Sequence, residues 1–312
     1  MHDDRIVSHI VFFLVPGVHL LDLAGPAQVF STAADFGHPY TLAYIAEQPQ
    51  VSTAQGLPLV AGLDWPELGP EDLIVVPGWR PGTLAGGAAI GAAIGAASLQ
   101  VLRDHHARGG TVASVCAGAE ALGQAGLLDG RHCTTHHDVQ DELALRHPRA
   151  VVVRDVLFTA DDRVITSAGI ASGIDLALHL VATRHGPAVA AQVARRMVVY
   201  ARRNGHEPQS SAMLRHRSHL DDTVHRAQDL IDARFDQPLP LPTLAAAVGV
   251  SERTLTRLFR RATGLTPLRY QQTLRLERAQ HFISHGATID AAARSVGFED
   301  PRMLRRLRAR TA

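Results

Sequence analysis

The chain has 312 residues, enough for two domains, and its 46% hydrophobic against 20% charged content excludes a disordered polymer and leaves ample material for buried cores. The formal net charge of +1 conceals a split: residues 1–236 carry 18 Arg against 25 Asp plus Glu, a net of −7, whereas residues 237–312 carry 13 Arg against 5 acidic residues, a net of +8. No lysine is present, so arginine makes the basic contacts, and an acidic front with a basic tail suggests a sensor or enzyme joined to an anion binder.

Two cysteines, Cys116 and Cys133, are too few for a disulfide framework. The apolar run 6–15 is too short to span a bilayer, and Asp3 and Asp4 stand where a secretory signal carries positive charge. The expectation is a soluble cytoplasmic protein with no membrane partner.

Along the first part of the chain, short apolar runs at 9–15, 40–46, 73–76, 111–115, 151–153 and 164–166 alternate with helical stretches at 26–34, 99–108, 117–125, 137–146 and 174–184. Unbroken Val and Ile runs fit strands buried on both faces, so the pattern predicts a helix-covered parallel sheet. The Ala- and Gly-rich segment 84–97 reads as a surface segment. A further helix is predicted over 188–200, and the polar, turn-rich stretch 204–211 reads as a linker. Thereafter only helices are predicted, at 223–235, 241–248, 252–262, 267–284, 289–296 and 301–310. The expected divisions are 1–186 for the α/β domain, 187–221 for a helical linker and 222–312 for an all-α domain.

The basic tail contains a repeat. A short helix, a turn at Gly249, a cap at Ser251 and a second helix with Leu255 and Arg257 recur as a turn at Gly297, a cap at Asp300 with Pro301 first in the helix, then Leu304 and Arg306. Two helices joined by a short turn containing Gly are the helix-turn-helix signature, whose second helix enters the major groove. With Leu255, Leu258 and Phe259 turned inward, the outward face of the first reader offers Arg253, Thr254, Thr256, Arg257 and Arg260. Arg302, Arg305 and Arg306 hold the analogous positions in the second. Arg forks match the paired acceptors of guanine, and other arginines neutralise phosphate.

This tail resembles the AraC/XylS family of transcriptional regulators. The resemblance rests on Leu244, Ala245, Val248, Gly249, Ser251, Leu255, Arg257, Phe259, Thr263, Gly264, Pro267, Arg275, Ala279, Val296, Gly297 and Phe298. It implies two recognition helices in successive major grooves about 34 Å apart. Arg308 stands where the family usually carries an aromatic residue, so the first reader weighs more than the second.

In parallel α/β sheets the ligand crevice lies at the carboxyl ends of the strands, which singles out 77–80, 116–118 and 167–169. Cys116 ends a buried run and leads into a helix, the layout of a nucleophile elbow, where a helix N-terminus favours thiolate. Candidate proton partners are Asp22, His132, His136 and His137; a carboxylate beside the thiol would hold it while opposing its ionisation. Trp79 could wall a ligand site and Arg80 could meet an anion, or both could serve packing and solvation. His132, Cys133, His136 and His137 lack a second ligand pair, so neither a metal nor a cofactor is expected.

Val75, Val76, Pro77 and Gly78, with 114–118, 126–130, Thr134, Thr135, His136 and 166–169, resemble the PfpI-like branch of the class I glutamine amidotransferase-like superfamily. Together with 22–26, 193–198 and the tail, the whole is similar to the GlxA family of regulators. The resemblance implies a flavodoxin-like parallel sheet domain followed by two helix-turn-helix motifs. It also implies binding of a small metabolite, of amino-acid or quaternary-amine type, with double-stranded DNA, RNA polymerase and a second copy of the chain as partners. The ligand residues it implies are Asp22, Gly78, Trp79, Cys116, Ala117, His136, Ala168 and Gly169. Ala117 stands where enzymatic relatives carry His, which points away from catalysis. Two alternatives stay open: a cysteine amidase, hydratase or deglycase-like enzyme using Cys116 with Asp22 or His136, and a redox sensor oxidised at Cys116.

Overall fold

The computed structural model describes residues 8–80, 94–199, 203–284 and 286–309, which divide into two compact units between Gln209 and Ser210. The first unit runs β1 (Ser8–Leu14), α1 (Leu20–Asp35), β2 (Tyr40–Ala46), β3 (Gln50–Val51), β4 (Leu59–Val60), β5 (Leu73–Val76), α2 (Ala96–Ala107), β6 (Thr111–Val115) and α3 (Ala119–Gln124). It continues with β7 (His132–Cys133), α4 (Gln140–Arg146), β8 (Val151–Val152), β9 (Phe158–Asp161), β10 (Val164–Ser167), α5 (Ser172–His185) and α6 (Pro187–Arg196).

The main sheet has the order β2-β1-β5-β6-β10-β9. Its first five strands are parallel and β9 is antiparallel at the edge. Side chains alternate between two cores. Ile10, Phe12, Leu73, Val75 and Val115 pack with Phe30 and Leu178 on one face, while Phe13, Ile74, Val76 and Val112 pack with Leu102, Leu122 and Leu128 on the other. Burial on both faces is why these runs are continuously apolar. After β2 the chain crosses to the other side of β1, so strand order reverses between β1 and β5, and the crevice at that switch point is where ligands bind in such sheets.

The structure differs from the expected elements in four places. The run at 151–153 does not join the sheet: β8 pairs with β7 in a separate ribbon, and Val151 is exposed. Strand β9 was absent from the expected set; it turns back into β10 through Asp162 and Arg163, both at positive φ (45° and 61°). Helix α1 begins at Leu20 and carries Pro26 inside it, rather than beginning there. Pro26 cannot donate to the carbonyl of Asp22, and close packing of the neighbouring Gly25 on Ile174 of α5 holds the helix in place. Helix α6, expected within a linker, packs through Ala190, Val193 and Ala194 into the core of the first unit. Most of the segment 84–97, together with Tyr200 and Arg310, lies outside the described residues.

The second unit comprises α7 (Ala212–Arg215), α8 (Asp222–Ala233), α9 (Leu241–Ala247), α10 (Glu252–Thr263), α11 (Pro267–Ser284), α12 (Ile289–Ser295) and α13 (Pro301–Ala309). It has two small cores threaded by α11. Tyr270 and Leu274 pack with Val224, Ile231, Leu244, Leu255 and Phe259, and Leu276 and Ala279 pack with Ala292, Val296, Phe298 and Leu304.

Candidate functional site

Two sites were expected, one in each unit. In the first, Cys116 follows β6 directly, with φ +56°, a conformation that ordinary L residues rarely adopt and that often marks a functional elbow. Its carbonyl accepts a hydrogen bond from Thr135 Oγ1 at 2.7 Å. Close backbone approaches make the floor of the site. A Cβ on Gly78 would lie 2.5 Å from Asp22 Oδ2 and 2.7 Å from Cys116 Cβ, and one on Gly169 (φ +86°) would lie 2.1 Å from Cys116 Cβ. Only glycine fits either place.

Asp22 comes from the first turn of α1 and is fully buried. Its Oδ1 accepts the Ile170 amide at 2.7 Å, while Oδ2 has no hydrogen-bond partner among the described residues. Burial raises its pKa from 3.8 to about 6, opposed in part by the Ile170 amide, the neighbouring Cys116 thiol and the Gly78 amide. At Cys116, 8% exposed, burial and then the Asp22 charge push the thiol well above its ordinary range. Of the two opposing influences expected on the thiol, the carboxylate's prevails over the helix end's, with burial added to it. A three-residue 3-10 turn, Cys116–Gly118, precedes α3, and the Ala117 amide favours the anion less than burial and Asp22 oppose it.

Of the proton partners considered, Asp22 adjoins the thiol. The His136 ring lies 4.1 Å from that of His137 and accepts the Asp138 amide on Nδ1 at 3.4 Å. His132 bonds to Asp161, and Cys133 is buried on β7. His136, His137 and Asp138 do bring potential ligand atoms within 4.8 Å of one another, but they are consecutive residues and His137 and Asp138 are exposed. Trp79 is no open wall: it is 2% exposed and belongs to the core with Phe13, Val15 and Ile94, its Nε1 without a partner among the described residues. Ala117 and Ala168 are buried around Cys116, and Arg80 is exposed.

Sequence reasoning missed His19, Thr135 and Gln209. His19 precedes α1, donates its amide to Gly78 O at 2.9 Å and faces Gln55; burial, then Arg80, lower its pKa. Gln209 Nε2 donates to Thr135 O at 2.9 Å and Val156 O at 3.1 Å, behind the Cys116 carbonyl. Thr135 stood in the quoted run 134–136 and could have been found; Gln209 gave no local signal. A separate apolar groove of about 440 Å³ lies between α1 and β2, lined by Leu20, Leu23, Ala27, Tyr44 and Val60, and includes neither Asp22 nor Cys116.

In the second unit, Ser251 Oγ caps α10 by accepting the Thr254 amide at 3.2 Å, and Gly264 (φ +74°) closes it. Leu255 and Phe259 are buried beneath the helix. An open groove of about 480 Å³ is lined by Leu241, Glu252, Arg253, Thr256, Arg257 and Arg260. No ion pair among the described residues engages Arg253, Arg257 or Arg260, whereas Arg261 lies 3.7 Å from Asp221. Thr254 does not line this groove; its Oγ1 lies 2.8 Å from Ser251 Oγ, within the cap. On α13, Asp300 Oδ1 accepts the Arg302 amide at 2.9 Å. Arg302, Arg305 and Arg306 are exposed, Arg305 being 3.0 Å from Asp290.

Residues 8–183 match the DJ-1/PfpI family and residues 244–311 match a helix-turn-helix domain. The HTH-type transcriptional regulator GbdR of Pseudomonas aeruginosa is 32% identical over 179 residues, 56% of this chain and 48% of that protein. The regulator CdhR of the same species is 31% identical over 206 residues, 66% of this chain and 61% of its own. The chain therefore spans about half to three-fifths of the length of these regulators. Isonitrile hydratase of Pseudomonas putida is 33% identical over 172 residues, covering 54% of this chain and 68% of the hydratase. A THiJ/PfpI family protein from Pseudomonas syringae superposes with TM-score 0.53 at 24% identity, covering 78% of this chain and 91% of that one, which speaks to the fold.

Proposed function

The chain belongs to the DJ-1/PfpI family and carries a helix-turn-helix domain behind that fold, and from this premise we propose that it is a DNA-binding transcriptional regulator whose first unit senses a small metabolite. The observation that carries the reading is the face of α10. Arg253, Thr256, Arg257 and Arg260 line an open groove beside Glu252, with no ion pair on these arginines among the described residues, above a buried Leu255 and Phe259. Free guanidinium forks on a rigid, capped helix suit guanine edges and phosphates of duplex DNA.

The sensing crevice is the switch point at Asp22, Gly78, Cys116, Ala168 and Gly169, with His136 at its rim. Asp22 Oδ2, which lies beside Gly78 and Cys116 and makes no hydrogen bond of normal geometry among the described residues, offers an acceptor there suited to the cationic group of an amino acid or amine. A metabolite acts on DNA binding only through different affinity for two arrangements of the protein. A second copy of the chain would place two readers on paired half-sites. RNA polymerase is the partner that a regulator of transcription must finally address.

Selection of duplexes from a random library by the full chain, followed by mobility shift, tests this reading. Enrichment of one sequence, lost in Arg253→Ala and Arg257→Ala, is expected; failure to retain any duplex overturns it. A second reading, chemistry at Cys116, is favoured by the +56° φ of that residue and weakened by a thiol held protonated. Regulation that survives Cys116→Ser supports sensing, while turnover lost in that variant supports the enzyme.

A further inference from the structure

The two cores of the second unit are joined by a side chain as well as by α11. Arg275, midway along α11, donates from Nε to Phe235 O at 2.5 Å and from Nη2 to Gln237 O at 2.9 Å, both on the α8–α9 connection. From Nη1 it donates to Gly297 O at 2.7 Å, in the turn between α12 and α13, and its guanidinium carbon lies 5.5 Å from the centre of the Phe298 ring. Gln271, one helical turn earlier, donates to the same Phe235 and Gln237 carbonyls at 3.1 and 2.8 Å. The junction is tight: a Cβ on Gly297 (φ +79°) would lie 1.8 Å from Asp236 O. Phe235 packs against both cores.

The partners of this guanidinium are backbone carbonyls, one pair under the first helix-turn-helix and one carbonyl in the turn of the second. A planar fork with fixed N–H directions defines the relative place of its acceptors, which a single ammonium cannot do. We infer that Arg275 is a positioning residue that fixes the separation and rotational phase of α10 and α13, so that the pair fits one spacing of groove contacts. This rests on the DNA-binding reading above. On B-DNA, one inserted base pair moves the second contact by about 3.4 Å and turns it by about 35°, so a rigid pair of readers discriminates between spacings and a loosened pair does not.

The test uses the full chain and a duplex selected by the wild type, with one base pair inserted between its two footprinted contacts. The wild type is expected to lose about tenfold or more in affinity on insertion, the order of one lost base contact. Arg275→Gln and Arg275→Lys are expected to lose less than about threefold on the same insertion, because only a rigid pair is penalised by the misplaced contact. Thr256→Ala, which leaves the junction intact, is expected to weaken both duplexes while keeping the wild-type ratio. General destabilisation lowers binding to both duplexes alike and leaves the ratio unchanged, so an unchanged ratio in both Arg275 variants overturns the inference while DNA binding stands. A wild type that binds no duplex overturns the parent reading and this one together, and a wild type indifferent to the insertion overturns this one alone.

Discussion

Asp22 and Cys116 face each other across Gly78, where an added methyl group would collide with both, 2.5 Å from the carboxylate oxygen and 2.7 Å from Cys116 Cβ. Two groups that each favour the neutral state when buried thus share one cramped space. The carboxylate opposes ionisation of the thiol, and burial opposes ionisation of either.

Stability should fall as pH rises through this site. Asp22 titrates near 6 in the folded chain against an ordinary 3.8, so the folded state binds the proton more tightly. Its advantage is present below pH 4, declines between 4 and 6, and is gone above that range. Asp22→Asn keeps an acceptor for the Ile170 amide and removes the buried charge. It is expected to be more stable than wild type at pH 7.5, by up to about 3 kcal/mol, with the gap closing toward pH 4. Urea unfolding across pH checks this, and a gap independent of pH contradicts it.

The Cys116 thiol should alkylate slowly. At pH 7.5 iodoacetamide is expected to label it more slowly than a free cysteine in solution, because both burial and the Asp22 charge disfavour thiolate. Asp22→Asn removes one of these causes and is expected to speed labelling by up to about tenfold. Peptide mapping by mass spectrometry separates Cys116 from Cys133. Labelling faster than the free amino acid in the wild type contradicts the protonated thiol.

The two turn glycines of the helix-turn-helix pair should respond unequally. Gly249 and Gly297 both have positive φ (75° and 79°), yet a Cβ on Gly249 meets nothing within 4 Å and one on Gly297 meets the Asp236 carbonyl at 1.8 Å. Gly249→Ala is expected to cost about 1–2 kcal/mol of backbone strain. Gly297→Ala adds displacement of the α8–α9 connection, and amide exchange in α12 should show the larger loss. Equal protection in the two variants would count against the packing described.

Among the arginines of the readers, those without an ion pair should matter most. Arg257→Ala is expected to weaken binding to the selected duplex by about 1–3 kcal/mol if it reads a base, or to reduce the salt slope by about one if it meets phosphate. Arg305, already 3.0 Å from Asp290, should change affinity less when replaced by Ala. Dissociation constants at two salt concentrations decide this, and a larger effect at Arg305 reverses the ranking.

Much of this architecture was legible because burial writes itself into composition. The strands at Tyr40–Ala46, Leu73–Val76 and Thr111–Val115 and the helix at Pro267–Ser284 match their predicted bounds. Ser251 caps α10 as its position before the apolar stripe implied. What escaped was short or held by distant partners. Strand β9 has the sequence Phe-Thr-Ala-Asp, too polar to announce itself, and its turn uses Asp162 and Arg163 at positive φ where Asn-Gly is the usual signal. Helix α1 runs through Pro26 because packing on α5 outweighs the local rule. That a carboxylate beside Cys116 opposes its ionisation was legible; that burial opposes it more strongly still, and that the two together outweigh the helix end, depends on contacts made across the fold.

The side chain of Gln209 gives the crevice a mechanical exit. It holds the Thr135 carbonyl, and the Thr135 hydroxyl holds the Cys116 carbonyl, so the peptide leading into the second unit is moored two hydrogen bonds from the Cys116 backbone. Anything that tugs the Cys116 backbone pulls on that mooring, whatever its chemical identity.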